Sequence, residues 1–589
     1  MAVPGVAWKA LGAWTKLVPL AAVGVSAVVV SSTLPSLPTV NPATQQAARS
    51  AQAAKKAALK AGAAGAAAGQ TPGAQATNSS IAPGGNGAGA VALVNAGPNA
   101  FSLNAGPYGG GGNGCVTYRG VDCHNVKVAF HWHTNPCGQD ASALLAEIGV
   151  GNGDPSSSLT VLLPFFNSKA VAAIYPDFKD VLQTGYYGRQ IYPVYEPEDG
   201  GPFCPDQNHS YAVKIAQTDQ AFAAMGGCIT CGSEGSGDEM DPVLASYGVL
   251  SVDWTQNSEP WYESGRPYIW SIATSGTRIV NQWIPFVCDY LRKKPSMNTG
   301  DPSTGSQTRV FSIGHVNQPE ENNLADFLES QIKGCGGHFG ANFSYNKDIS
   351  TAAEQAATYL AIMRNSHTTT VIAFSDEVAN LVGQQEEHNS NWHPEAITSN
   401  FAGGDSDIAG ETYPQDEQKF VFGTGQGDTQ EWANTKFCDT WYGRLWCQKY
   451  PGANNEPGKM PPADYIIWSY EMALLGRQIL ESGATLTPQH VRDGMFKTCA
   501  PCARLDNALP GYGPKYPDSQ YSGGKDYQLI RWDSNHYSDW AAVGNSQGNV
   551  AGKGAYVPIG TPGLAGGDVF GDIPHAADWF RWLIWGQPS

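Results

Sequence analysis

"TRVFSIGHVNQPEENNLADFLESQIKGCGGHFGANFSY" (Thr308–Tyr345) decides how this chain is read. "TRVFSIGHV" is a short apolar run rich in β-branched and aromatic residues, which predicts a buried strand. "EENNLADFLESQIKGCGG" then changes period: Leu324, Phe327, Leu328 and Ile332 fall on one helical stripe, and glycines close it. "HFGANFSY" returns to strand. The pattern continues with "STAAEQAATYLAIMRN", a helix with Ala353, Ala356, Leu360 and Met363 in register, then the strands "TTTVIAF" and "EAITSN" around a further helix. Strand and helix alternate at this spacing when a parallel sheet is covered on both faces.

A second series lies upstream. "VKVAF" at Val126 and "QIYPVY" (Gln190–Tyr195) read as strands. "HSYAVKIAQTDQAFAAM" (His209–Met225) reads as a helix leading into a strand around Gly227–Thr230, and "GVLSVDW" (Gly248–Trp254) follows the next helix. Two βα series, Val126–Trp254 and Arg309–Asn400, predict an α/β fold of two doubly wound, Rossmann-like lobes.

The flanks differ in texture. Of 589 residues with net charge −17, the first acid is Asp122, and seven basic residues precede it; the leader is therefore +7 and the remainder −24. No basic stripe is present to neutralise phosphates, which excludes nucleic acid as the partner of the acidic body. Lys9 and Lys16 front the apolar run "LVPLAAVGVSAVVV" (Leu17–Val30). Its length suits a signal-peptide core better than a membrane span, with an uncleaved anchor as the alternative. Residues 1–33 are thus expected to be a signal peptide or anchor. Residues 34–125, with runs such as "AAKKAALKAGAAGAAAGQ", are expected to be an Ala/Gly/Pro-rich disordered linker. The chain is expected outside the cytoplasm, in the cell envelope or secreted.

An even set of twelve cysteines in an exported chain predicts disulfides. Spacing suggests Cys115 with Cys123, Cys228 with Cys231, Cys438 with Cys447, and Cys499 with Cys502; Cys137 with Cys204 and Cys288 with Cys335 complete the set. The two CxxC pairs also allow a zinc site or thiol–disulfide oxidoreductase chemistry. Zincin and P-loop motifs do not occur. "HWH" (His131–His133) puts two imidazoles on one side of a strand, and "GGDSD" (Gly403–Asp407) is a fragment of a calcium loop without its register. No enzymatic activity, cofactor or functional metal is expected.

The order of these pieces resembles the type 1 periplasmic binding proteins, specifically the branched-chain amino acid (Leu/Ile/Val-binding) family of substrate-binding proteins of ABC transporters. The resemblance spans Val126 to Phe496. It is carried by "VKVAFHW", by the Gly-Ser loop "CGSEGSGDEMDPVLASYGVLSVDW" (Cys231–Trp254), by "YIWSIATSGTRIVNQW" (Tyr268–Trp283) entering the second lobe, by the run quoted at the outset, and by "ADYIIWSYEMALLGRQILESGATLTPQHVRDGMF" (Ala463–Phe496) returning to the first. It implies lobe 1 over 126–270, lobe 2 over 271–435, a return to lobe 1 over 436–505 and an irregular C-terminal extension over 506–589. The chain departs from the family in its leader, an insertion around Gly151–Gln190, its many cysteines and its Gly/Pro/Trp-rich tail.

The function so implied is capture of a small polar, amino-acid-like ligand between hinged lobes for an ABC-importer permease. Ligands in such folds bind beyond the carboxyl ends of the strands. The expected contacts are Ser233, Gly235 and Ser236 before a helix N-terminus, then Asp253, Trp254 and Thr255. Lobe 2 would add Asn317, Gln318, Ser375, Asp376 and Phe401, with Asp376 or Glu320 receiving an amine. Trp261, Tyr262 and Trp270 would suit a larger, stacked ligand. A sensory or structural ectodomain of the same fold, held to the membrane by Leu17–Val30, is the second reading, and a CxxC oxidoreductase the third.

Overall fold

The computed structural model describes residues 118–133, 155–198, 205–226, 237–301, 303–347, 351–425, 436–453, 459–462, 464–498, 521–523, 528–537 and 553–558. The expected signal segment, the expected linker up to residue 117, the loop with Ser233, Gly235 and Ser236, and Cys115, Cys137, Cys204, Cys228, Cys231, Cys499 and Cys502 lie outside them, whereas residues 118–125, expected to be the end of the disordered linker, form a turn and the start of a strand with Val121 buried in the core. Among the described residues no helix is long and apolar enough to cross a membrane.

Lobe 1 begins with β1 (Asn125–His133), α1 (Ser156–Phe166), β2 (Gln190–Glu198), α2 (Pro205–Gln217), β3 (Ala223–Gly226), α3 (Gly237–Ser246), β4 (Leu250–Asp253), α4 (Glu259–Ser264) and β5 (Ile269–Ser271). Its sheet is parallel, in the order β2-β1-β3-β4-β5. β3 is the short all-buried run "AAMG", and the expected strand residues Gly227–Thr230 lie outside the described residues. β3 pairs in register with Val128–His131, and a Cβ at Gly226 would stand 2.3 Å from the His131 ring. Small residues on one sheet face (Ala129, Ala224) let α2 and α3 pack closely through Ala212, Ile215, Met240 and Leu244.

Lobe 2 runs α5 (Gly276–Pro285), β6 (Val310–Val316), α6 (Pro319–Gly334), β7 (His338–Tyr345), α7 (Ala352–Asn365), β8 (Thr370–Phe374), α8 (Glu377–Ser390), β9 (Glu395–Thr398), α9 (Asp407–Thr412), α10 (Gln415–Gln418) and β10 (Val421–Gly425). The five parallel strands lie in the order β7-β6-β8-β9-β10, which repeats the lobe 1 pattern. α6 starts with Pro319 at its first position and Glu320 and Glu321 in its first turn. Glu321, Leu324, Ala325, Leu328 and Ile332 form its buried face. Phe327, expected on that stripe, is 44% exposed. Ala353 of α7 is likewise exposed, while Ala356, Leu360 and Met363 are buried.

The chain then returns to lobe 1 as α11 (Trp441–Lys449), α12 (Asp464–Ser482) and α13 (Pro488–Thr498). Trp441, Tyr465, Trp468, Met472, Leu475 and Met495 cover the second face of the lobe 1 sheet against Val128, Phe130 and Met225.

The segment beyond 506 is not irregular throughout: β11 (Gln528–Tyr537) and β12 (Lys553–Pro558) extend the lobe 2 sheet antiparallel from β10. Trp532 and Tyr556 fasten them, the indole N–H donating to Gln415 Oε1 at 2.9 Å and the Tyr556 hydroxyl to the Gly404 carbonyl at 2.8 Å. Asp407 accepts the Tyr556 backbone N–H at 2.6 Å.

Next to Asp407 on α9, both carboxyl oxygens of Glu411 are buried without a hydrogen-bond partner. Burial first, then the Asp407 charge, pushes its pKa up to about 9. A carboxyl whose folded pKa lies above its unfolded one holds its proton in the native state after the unfolded chain has ionised. Its cost to stability is therefore absent below about pH 4.5 and grows as pH rises to about 9. Glu411→Gln is expected to be progressively more stable than the parent across that window and to match it near pH 4, as read by urea midpoints. A constant difference would place the effect elsewhere.

Candidate functional site

The carboxyl ends of both sheets face one another. Gln256, two residues after the Asp253–Trp254 step out of β4, donates from Nε2 to the Asn400 carbonyl (3.1 Å) and side-chain oxygen (3.3 Å), and accepts the Ala402 N–H at 2.6 Å. Asn400 and Ala402 follow β9. Ala402 has φ +47°, a left-handed conformation that is unfavourable for a residue with a Cβ, so the Gln256 contact holds a strained turn. Nearby, Ser258 donates to the Glu320 carboxylate at the head of α6. Gln256 was not among the expected contacts, although it adjoins the Asp253–Thr255 block.

Three passages join the lobes: β5 to α5, β10 to α11, and α13 to β11. The first and third lie together, since Ser271 N–H donates to the Tyr521 carbonyl at 2.9 Å and Thr274 Oγ1 to the Gly523 carbonyl at 2.7 Å. A pair of lobes joined by several adjacent strands can bend there as a hinge.

Across the carboxyl edge of the lobe 1 sheet the register aligns Glu196, His131, Gly226, Asp253 and Ser271. All but the glycine are buried polar groups. Asp253 accepts the Trp254 N–H at 2.6 Å. Trp254 is half-buried, and its indole N–H is buried with no hydrogen-bond partner among the described residues. Thr255 is fully engaged: its hydroxyl meets the Tyr262 hydroxyl at 3.0 Å, and its carbonyl accepts from Tyr262 and Ser271 at 2.6 Å each. Tyr262 and Trp270 are wholly buried in the lobe 1 core.

In lobe 2, Asn317 is exposed and donates to Asn346 Oδ1 at 3.1 Å, and Gln318 is half-buried at the N-cap of α6. Ser375 Oγ bonds the Asn380 amide oxygen at 2.6 Å. Asp376 caps α8 through the Ala379 N–H at 2.7 Å and accepts the Tyr345 hydroxyl at 2.6 Å. Phe401 is in the core, its ring centroid 4.2 Å from that of Phe374. Ser375 and Asp376 also border a cavity of about 90 Å³ between the sheet and α7 and α8, floored by Gly314, Ala373 and Ala396 and reaching Tyr359 and Glu387. Burial holds the Glu387 carboxyl well above the usual carboxylate range, helped by the neighbouring Glu417 charge.

Of the cysteines, Cys288 is bonded to Cys335 and Cys438 to Cys447, and Cys123 is also disulfide-bonded.

No family model and no curated protein matches the chain. Solved structures that it resembles include an extracellular ligand-binding receptor from Rhodopseudomonas palustris HaA2 (10% identity, 69% of this chain and 97% of that chain, TM-score 0.47). Others are a fatty acid ABC transporter substrate-binding protein from Thermomonospora curvata (9%, 76% and 95%, 0.49) and the branched-chain amino acid transporter substrate-binding protein LivJ from Streptococcus pneumoniae, in complex with isoleucine (9%, 74% and 99%, 0.43).

Proposed function

We propose that the chain is an extracytoplasmic solute-binding protein of the type 1 periplasmic binding class, which captures a small polar ligand between its lobes and presents it to an ABC-importer permease. The observation that carries this reading is the repeated strand order: two parallel sheets of the same 2-1-3-4-5 pattern meet at their carboxyl edges beside the adjacent interlobe passages. Ligands of doubly wound sheets bind at that edge, and two such edges on a hinge make a cleft that closes over its contents.

Lobe 1 would contribute Asp253, the Trp254 indole N–H and the loop carrying Ser233, Gly235 and Ser236. Lobe 2 would contribute Asn317 and Gln318, with Ser375 and Asp376, both engaged within the lobe, shaping the edge beside them. Acceptors outnumber cations in this set, which favours a ligand bearing an amine or several hydroxyls. A residue whose polar atoms are already satisfied within its own lobe, such as Thr255, supports the site by holding neighbours in place.

A thermal-shift screen of the full chain against amino acids, amides, polyols and sugars tests the reading. A ligand present at a hundred times its Kd stabilises the folded state by about 2.7 kcal/mol, which raises the melting temperature by roughly 2–3 °C in a protein of this size. Asn317→Ala and Gln318→Ala, both at accessible positions, are expected to weaken that ligand at least tenfold. A folded protein indifferent to every solute class would sink the proposal.

A further inference from the structure

We propose that lobe 2 carries a binding site for a divalent transition-metal ion, formed by His388, Asp416 and Glu417 and positioned by His393. The site lies away from the carboxyl edge of the sheet and is independent of the solute cleft.

Its parts come from two segments that no spacing motif links. His388 is in the last turn of α8, and Asp416 and Glu417 are on α10. One coordinating atom from each of the three lies within 4.8 Å of the others. Two donors bound at about 2.1 Å to one tetrahedral ion stand roughly 3.4 Å apart. The side chains of His388 and Asp416, 48% and 47% exposed, are bonded to one another through Nδ1 and Oδ2 and would part to admit an ion between them, whereas the Glu417 side chain, 1% exposed, is fixed. The set is thus one rigid anchor with two adjustable arms.

The anchor itself points to a cation. Glu417 Oε1 bonds His393 Nδ1 at 2.7 Å, but Oε2 is buried with no hydrogen-bond partner. A carboxylate oxygen stripped of water and left unpaired is costly. Glu387, one residue before His388 and also buried, adds a further carboxyl facing Glu417. Among the described residues no Lys or Arg pairs with Glu387, Asp416 or Glu417. Lys419, the nearest in sequence, holds its ammonium over the Phe420 ring at 4.7 Å. Asp416 and Glu417 have only imidazoles, His388 and His393, as ion-pair partners among the described residues, so a dication would balance the two carboxylates.

The donor types select the ion. One imidazole nitrogen with two carboxylate oxygens suits zinc and its transition-metal neighbours and is poorly matched to magnesium or calcium, which prefer oxygen throughout. The half-exposed arms leave room for water to complete the shell. His393 holds Glu417 from behind and is itself 3.3 Å from Asn391 Oδ1, the outer-shell arrangement that orients metal ligands.

The consequence is structural. α10 also carries Gln415, which accepts from Trp532, and Gln418, which donates to the Tyr556 hydroxyl at 2.9 Å and accepts from Gln384 of α8 at the same distance. An ion joining α8 to α10 would brace the point at which the C-terminal strands dock.

The test uses the full chain stripped with EDTA and titrated with zinc chloride by calorimetry and equilibrium dialysis. The parent protein is expected to hold one more zinc equivalent than either His388→Ala or Asp416→Ala, and zinc is expected to raise the melting temperature of the parent but not of these variants. His393→Ala, which leaves the three ligands in place, is expected to weaken binding 10- to 100-fold. Cobalt substitution reports the donor set separately: visible bands lost in His388→Ala, with no change in any thiolate charge-transfer band. Equal zinc stoichiometry and affinity in the parent and both variants, or a parent melting temperature that zinc leaves unmoved, would overturn the proposal. Melting in EDTA verifies that each variant is folded, and two independent exposed ligands guard against the failure of one.

Discussion

Glu395→Ala is expected to destabilise the protein by about 3–5 kcal/mol, the cost of leaving a buried ion without its partner. Glu395 and Arg309 are both fully buried, and Arg309 reaches the carboxylate from Nε and, at 3.2 Å, from Nη2. Arg309 Nη1 also donates to the Leu291 and Lys294 carbonyls at 3.0 Å each, and Glu395 accepts from Thr370 Oγ1 at 2.7 Å. The pair therefore ties the exit of α5, the start of β6 and the start of β9 at the amino end of the lobe 2 sheet. Removing the carboxylate strands a guanidinium that cannot lose its charge. Urea unfolding of the full chain measures the loss. Arg309→Met with Glu395→Leu should recover most of it, since a buried pair replaced by apolar residues of similar volume is often neutral. A single variant within 1 kcal/mol of the parent would show that water reaches the site.

Much of this fold was legible because its strands and helices keep clean periods. β6 to β9 and the helices between them follow from "TRVFSIGHV" through "EAITSN" with ends shifted by a residue or two. The failures have local causes. Phe327 sits on the flank of the α6 stripe, where a 3.6-residue period permits burial; Glu321 and Ala325 are buried instead because the sheet and α5 lie on their side. The run "AFAAMGGCIT" is apolar enough to place a strand at several registers, and the close approach of His131 to Gly226, which needs a residue without a Cβ, has no period to read. In the tail, Gly/Pro-rich flanks hide the strand "QLIRWDSNHY", whose Trp532 packs where Gly410 and Gly554 leave room for an indole.

The candidate site divides in the same way. Strand ends are visible in sequence, so Ser375 and Asp376 fall at a carboxyl edge from pattern, and Asp253 does so with the help of the family resemblance. What each polar atom bonds is decided by residues distant in sequence: Tyr345 for Asp376, Ser271 for Thr255, Phe374 for Phe401. Such pairings have no period to read. Gln256 and the His388–Glu417 cluster were missed for that reason, being assembled by topology and not by spacing.

The second large effect concerns the Cys288–Cys335 bond. It closes a loop with a sequence separation of 47 that contains β6 and α6 and joins the end of the α5 segment to the end of α6. Loop-closure entropy predicts a loss of about 4 kcal/mol when it is removed, against about 2.6 kcal/mol for Cys438–Cys447, whose separation is 9. Cys→Ala pairs at each site, unfolded in urea without reductant, should rank in that order, with a gap near 1.5 kcal/mol on the same relation. The ranking depends on the unfolded chain being free to use the entropy that the bond withholds. A residual helix at α6 in the denatured state would already bring Cys335 toward β6 and shrink the gap. Equal losses at the two sites, or a larger one at Cys438–Cys447, would therefore overturn the entropic account and place the stabilisation in native contacts around each bond.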